Sequence, residues 1–196
     1  METAGVAGLV LAAGAGRRMG RPKALVRDAD GTAWVVRAAR LLTESGCSPV
    51  VVVVGAAADE VRAELAAEPV QVIEATDWIE GMGASFRTGL SFLDEHSEVD
   101  AVAVVPVDVP GVQRVAVRRV LAEAGPGALA RATYDGAPGH PVLIGRTHWA
   151  GVIASARGDE GARSYLRAHD VVHVECADVS DGVDVDTVEE LPPGHG

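Results

Sequence analysis

Short apolar runs alternate with stretches of helical period along this chain. Val6–Ala12, Val50–Val54, Val70–Glu74, Ala101–Val107 and Val171–Glu175 are compact runs rich in valine. Runs of this length and composition predict short strands buried on both faces. Between the first two, Thr32–Ser45 sets Trp34, Val35, Ala38, Leu41 and Leu42 on one helical face and stops at Gly46. Ala57–Ala67, Ala84–Leu93, Gln113–Ala124 and Gly161–His169 are also predicted helices. From Gly125 the pattern loosens. Gly127–Tyr134 and His140–Ile144 are predicted as a strand pair joined by the turn cluster Asp135–Gly139. The alternation implies a three-layer, Rossmann-like α/β fold, a mostly parallel sheet with helices on both faces.

A chain of 196 residues with no internal repeat or linker suits one domain, 1–196, with a sizeable core. Residues 192–196 are expected to fray. In open α/β sheets, ligands bind beyond the carboxyl ends of the strands. The informative polar residues fall there. A glycine-rich loop follows Val6–Ala12, and Asp108 follows the run that ends at Val107.

That loop, Leu11-Ala12-Ala13-Gly14-Ala15-Gly16-Arg17-Arg18-Met19-Gly20-Arg21-Pro22-Lys23, ends on the only lysine in the chain, whereas the other 16 basic residues are arginine. An ammonium acts as a compact point charge and a guanidinium as a planar fork, so the two are not interchangeable at a phosphate. Gly14, Gly16 and Gly20 let backbone N–H groups approach a ligand, and Arg17, Arg18, Arg21 and Lys23 neutralise it. This is the chemistry of a polyphosphate site. The spacing is not that of a dinucleotide fingerprint, and Ala24 after Lys23 departs from a P-loop.

The formal charge of −11 argues against nucleic-acid or anionic-membrane partners, but it leaves room for a small anionic ligand that arrives with a divalent cation. Cys47 and Cys176 lack metal-ligand spacing and suggest a reducing compartment. The start has no basic leader region and Val6–Ala13 is too short to span a membrane, so a cytoplasmic location is expected.

Asp108 ends a buried strand and is a candidate Mg²⁺ ligand, since that ion takes one or two carboxylates beside phosphate oxygens and waters. Asp184 and Asp186, two apart in an extended stretch, share a face, and Asp181 lies just before them. Asp186 also suits a helix cap, and Thr187 with Glu190 suits a capping box. Whether the two acidic clusters meet in space is an expectation for the structure.

The loop resembles the L-A-A-G-x-G-x-R-M-G-x-P-K signature of the nucleotidyltransferases that act on molybdenum cofactor, and it is closer to the cytidylyltransferase branch. The fold this implies is that of the nucleotide-diphospho-sugar transferases. By the same resemblance, backbone from Leu11 through Ala12, Ala13, Gly14 and Ala15 to Gly16 would bind base and triphosphate. Arg17 would contact the β/γ-phosphates and Lys23 the α-phosphate.

The likeness continues along the chain. Gly81–Leu90 is similar to the family's G-M-x-x-S-L-R-x-G segment, which implies base or ribose contacts from Ser85, Arg87 and Gly89. Asp108 stands first in a D-x-P motif, with Val109 where cytidylyltransferases commonly have glutamine. Asp184–Leu191 resembles D-I-D-T-P-E-D-L, with Val188 for proline, and puts the second metal ligand at Asp184 or next at Asp186. Gly139-His140-Pro141-Val142 resembles a G-H-P-V segment on the acceptor side, and Gly158–Arg163 resembles G-D-x-G-A-R, where Asp159 also suits a helix cap.

The resemblance implies Mg²⁺-dependent transfer of NMP, CMP in particular, from an NTP to a phosphorylated acceptor such as molybdopterin cofactor. Catalytic roles fall to Lys23, Arg17 and Asp108. It also implies a molybdoenzyme or cofactor-delivery partner. Two rivals stay open. Some proteins similar to this family are nicotine blue oxidoreductases, which use a nicotinamide cofactor, and a non-catalytic nucleotide- or cofactor-binding module would use the same pocket.

Overall fold

A computed structural model describes residues 5–196, with the backbone alone at His96. Met1–Ala4, read above for a leader, lie outside the described residues. The strands are β1 (Val6–Ala12), β2 (Val50–Val54), β3 (Gln71–Glu74), β4 (Ala101–Pro106), β5 (Leu129–Tyr134), β6 (Ala137–Gly145) and β7 (Val172–Glu175). They form one seven-stranded sheet in the order β3-β2-β1-β4-β6-β5-β7. Every neighbouring pair is parallel except the two that involve β6. The mostly parallel sheet expected from the alternating pattern is therefore present.

The helices are α1 (Trp34–Ser45), α2 (Ala58–Glu64), α3 (Met82–His96), α4 (Arg114–Leu121), α5 (Arg146–Ser155) and α6 (Arg163–Arg167). Strand side chains alternate between faces. Val10, Ala12, Val52, Val54, Ala103 and Val105 pack with α1, α2 and α4 on one face. Leu9, Leu11, Val51, Val53, Val102 and Val104 pack with α3 and α5 on the other. A sheet covered on both faces needs apolar residues at every position, which is why its central strands read as unbroken valine runs.

Three expectations need correction. The turn between β5 and β6 is only Asp135-Gly136, both with positive φ (51° and 79°), while Ala137 and Pro138 already pair with Tyr134 and Thr133. Asp-Gly alone supplies the two left-handed residues of a tight hairpin, so Pro138 and Gly139 are strand residues. The Glu175 carboxylate secures this turn. It accepts hydrogen bonds from the N–H groups of Asp135 (3.0 Å) and Gly136 (3.2 Å) and from the Thr133 hydroxyl (3.0 Å). With the Ala177 N–H first among them, these donors hold its pKa down to about 2.

Helix α5 falls in a stretch that the apolar pattern left unassigned. Only Trp149 and Val152 of its ten residues are buried, too few for a visible helical period. Residues 192–196 do not fray. Gly196 and Arg27 exchange two backbone hydrogen bonds of 2.9 Å, and the His195 ring meets Trp34 edge-on with centroids 6.1 Å apart. Among the described residues, no helix is long and apolar enough to cross a membrane.

Candidate active site

The loops after β1 and β4, the start of α3 and the segment 184–186 surround a cleft of about 580 Å³ at the carboxyl ends of the central strands. The glycine loop forms one wall. Gly16 has φ +60°, and a Cβ there would stand 1.8 Å from the Arg21 carbonyl oxygen, so this tight return requires glycine. Buried Met19, packed with Val26, Trp34 and Val185, anchors the middle of the loop. The N–H groups of Gly14, Ala15 and Gly16 have no hydrogen-bond partner among the described residues. Unpaired amides beside an apolar strand end make a ready anion cradle.

The loop delivers Lys23 to the cleft floor. A short turn at Lys23–Leu25 fixes its backbone, with the Leu25 N–H donating to the Pro22 carbonyl at 3.0 Å. Its ammonium donates to Asp108 Oδ2 at 2.8 Å and to Asp186 Oδ1 at 2.5 Å. Arg18 pairs with the other Asp186 oxygen at 2.8 Å. The two acidic clusters therefore meet, and the Val185 N–H donates to the Asp108 carbonyl at 2.8 Å, which locks them together. Val185 is buried while Asp184 and Asp186 line the cleft, as an extended stretch dictates.

The charges are unequal in their environments. Burial works against a charged Lys23, yet Asp108 and then Asp186 outweigh it and hold its pKa above the usual value. The Lys23 hydrogen bond holds Asp186 below the usual carboxylate range. Asp184 has no ion pair among the described residues, and its pKa is raised by desolvation and then by the Asp108 and Asp186 carboxylates.

Among the described residues, no three acidic or histidine side chains already form a metal cage. The donor set nonetheless fits a hard divalent cation. Asp108 and Asp184 are oxygen ligands facing one cleft, and Asp184 has no ion-pair partner among the described residues. Mg²⁺ needs only one or two carboxylates when phosphate oxygens complete its shell. Asp186 is less free, because Lys23 and Arg18 occupy both of its oxygens. Asp181 lies outside the cleft lining and accepts a hydrogen bond from the Val183 N–H at 3.2 Å. The capping box forms on Thr187 and Glu190, with Thr187 as the cap.

Leu11, Ala13, Gly14, Ala15, Gly16 and Arg17 all line the cleft, as do Lys23, Ser85, Asp108, Asp184, Asp186 and His140. Three expected residues do not. The Ala12 side chain packs into the core under α1. Arg87 donates to Asp77 (2.7 Å), Glu80 (2.7 Å) and the Ala156 carbonyl (3.0 Å), and so braces the segment before α3. Gly89 is a packing glycine, since a Cβ there would reach within 2.5 Å of Leu9.

Several lining residues were not expected. Trp78 and Ile79 form part of the cleft wall, and no periodicity marks their short turn. Asp159 lines the cleft and does not cap α6, whose cap residue is Ala162. Arg163 also lines it. The G-D-x-G-A-R likeness was the available signal for both. His140 lies in the same wall, its carbonyl accepting from the Tyr134 hydroxyl at 2.6 Å. Burial pushes the His140 pKa down to about 4, so the ring is neutral near pH 7.

A family model described as the MobA-like NTP transferase domain matches residues 8–174. A nicotine blue oxidoreductase of Paenarthrobacter nicotinovorans is 37% identical, covering 95% of this chain and 94% of that protein. Among solved structures, Rv0371c from Mycobacterium tuberculosis H37Rv superposes with a TM-score of 0.79 at 26% identity, over 96% of each chain. A further structure of Rv0371c is a complex with manganese. A nucleotidyl transferase from Methanothermobacter thermautotroptrophicus superposes with a TM-score of 0.80 at 19% identity, covering 94% of this chain and 93% of that one, a likeness of fold. The mostly parallel sheet, the glycine loop with its lysine and the match over residues 8–174 converge: the chain belongs to the MobA-like NTP transferase domain family.

Proposed function

We propose that the protein is a divalent-metal-dependent nucleotidyltransferase that moves NMP, with CMP favoured by resemblance, from an NTP to a phosphorylated acceptor such as molybdopterin cofactor. The observation that carries this reading is Lys23, whose ammonium lies 2.8 Å from Asp108 and 2.5 Å from Asp186 beneath the unpaired amides of Gly14–Gly16. Anion donors, one lysine and several carboxylates in one cleft suit a polyphosphate that arrives with a cation.

In the transfer, an oxygen of the acceptor phosphate attacks the α-phosphorus. A new P–O bond forms as the α–β bridging P–O bond breaks, and pyrophosphate leaves with that electron pair. A phosphate monoester is already nucleophilic, so no serine or cysteine is required. Catalysis is positioning and charge stabilisation. The loop amides would hold the triphosphate, Lys23 would offset charge on the α-phosphate, and Arg17 would offset charge on the leaving pyrophosphate. Asp108 and Asp184 would hold Mg²⁺ or Mn²⁺, and the manganese complex of Rv0371c supports a divalent ion. When bound, such an ion would neutralise phosphate charge and help align the reacting groups.

Asp108→Asn tests this reading. It removes a hard anionic ligand and keeps the side-chain shape, so affinity for Mg-CTP is expected to fall by about tenfold or more, with metal-free CTP binding little changed. Calorimetric titration with and without Mg²⁺ reads both. An unchanged metal dependence would remove Asp108 from the site. The second reading is an oxidoreductase, favoured by the name of the 37% identical relative.

A further inference from the structure

Among the described residues, ten of the 16 arginines pair with a carboxylate. In a chain with a formal charge of −11, a cleft guanidinium without an ion pair stands out among the described residues. Two such arginines line the cleft, Arg17 and Arg163, and both are exposed. Arg17 belongs to the glycine loop. Arg163 stands at the start of α6, and its side chain has no ion pair or hydrogen bond among the described residues.

Arg163 is not isolated. It lies close enough to half-buried Arg131 on β5 to act on it by charge repulsion, which, after burial, lowers the Arg131 pKa. Among the described residues the Arg131 side chain also has no carboxylate partner, and its one hydrogen bond goes to the Gly139 carbonyl at 3.3 Å. Both guanidinium groups act on His140. Arg131 Nε and His140 Nδ1 are shut off from solvent and have no hydrogen-bond partner among the described residues. Buried polar atoms without partners are costly, so a cluster of them beside a cleft calls for a ligand.

The acidic group shares the cleft with both basic ones. Lys23 and His140 both feel the Asp108 carboxylate, and Asp184 feels both Lys23 and Arg163. The cleft therefore holds two positive poles beside an acidic group. One pole is the glycine loop with Arg17. The other is Arg163, with Arg131 and His140 behind it.

We propose that Arg163, backed by Arg131 and His140, forms a second anion subsite that receives the phosphate of the acceptor, separate from the glycine loop. The assignment rests on the transferase reading and names the acceptor's chemistry: it carries a phosphate monoester. Arg163 supplies a fork of N–H donors, and its exposure lets it swing onto the incoming anion.

The test uses inorganic phosphate as the probe and CTP with Mg²⁺ as the reference, measured separately by calorimetry on the full chain. The wild-type protein, Arg163→Ala and Arg17→Ala are compared. Arg163→Ala is expected to weaken phosphate binding by about tenfold or more, the loss of a charge-assisted contact, and to leave Mg-CTP binding within about twofold. Arg17→Ala is expected to do the reverse. Arg131→Gln serves as a second variant that removes the backing charge and retains length, and it should weaken phosphate binding in the same direction. Phosphate affinity that ignores Arg163 and follows Arg17 alone would overturn the subsite, as would a wild-type protein that binds no phosphate. If phosphate binding depends on Arg163 while no Mg-NTP binds, the subsite stands and the transferase reading falls.

Discussion

Replacing Lys23 with alanine is expected to lower turnover by ~10²-fold or more, a loss of about 2.7 kcal/mol of transition-state stabilisation. The lysine is fixed in place before any substrate arrives, by the turn at Lys23–Leu25 and by bonds to Asp108 and Asp186. A charge that needs no reorganisation at the moment of reaction is worth more than one that must be recruited. Arginine should not rescue it, because the planar fork does not fit a site built around a point charge. Steady-state kinetics with the pyrophosphate product as readout checks both variants, and near-normal turnover in Lys23→Ala would remove the lysine from the mechanism.

The same contacts set a pH dependence. Since the folded-state pKa of Lys23 is raised above the ordinary lysine value of 10.5, its stabilising contribution is fully present below that value. It is lost as pH rises through the higher folded value. Asp186 behaves in the opposite sense, since its pKa is lowered from 3.8, and its contribution is lost as pH falls through the folded value. The cleft should therefore keep its charge pattern across the neutral range.

The second large effect is expected from Gly16→Ala. The backbone there has φ +60°, and the new methyl would meet the Arg21 carbonyl oxygen at 1.8 Å. Left-handed strain costs about 1–2 kcal/mol, and the collision must also be relieved by opening the loop between residues 16 and 21. Opening it would move Lys23 and the unpaired amides together. Mg-CTP affinity should drop by about tenfold or more while the fold persists, since the strain is small beside a typical domain stability of about 5–15 kcal/mol. Circular dichroism with a nucleotide titration separates the two effects. Normal affinity in a folded Gly16→Ala protein would mean that the loop does not cradle the ligand.

Strands β1 and β2 were legible to the residue because a strand buried on both faces must be apolar throughout, and valine runs satisfy that at Val50–Val54. The glycine loop was legible for a similar reason, since its chemistry is local to Leu11–Lys23. The meeting of Asp108 with Asp184 and Asp186 was an open expectation, because it depends on long-range contacts, the Val185 N–H to the Asp108 carbonyl and the Lys23 ammonium shared by Asp108 and Asp186. Arg87 shows the limit of motif reading. It occupies the expected position in its segment, but Asp77 and Glu80, acids outside the motif, hold its guanidinium away from the cleft. Arg163 shows the converse. Its significance lies in having no ion pair among the described residues, a property of three-dimensional surroundings that no spacing along the chain expresses.

The most direct test of the central claim is a thermal-denaturation panel on the purified protein, with Mg²⁺ and each of CTP, GTP, ATP and UTP beside NADH, NADPH and FAD. A ligand at 100 times its Kd that binds only the folded state adds roughly 2.7 kcal/mol, a readily visible shift. Stabilisation by one Mg-NTP, and by none of the redox cofactors, is the predicted result. Stabilisation by NADH, NADPH or FAD with no response to any Mg-NTP would contradict the account and assign the cleft to redox chemistry.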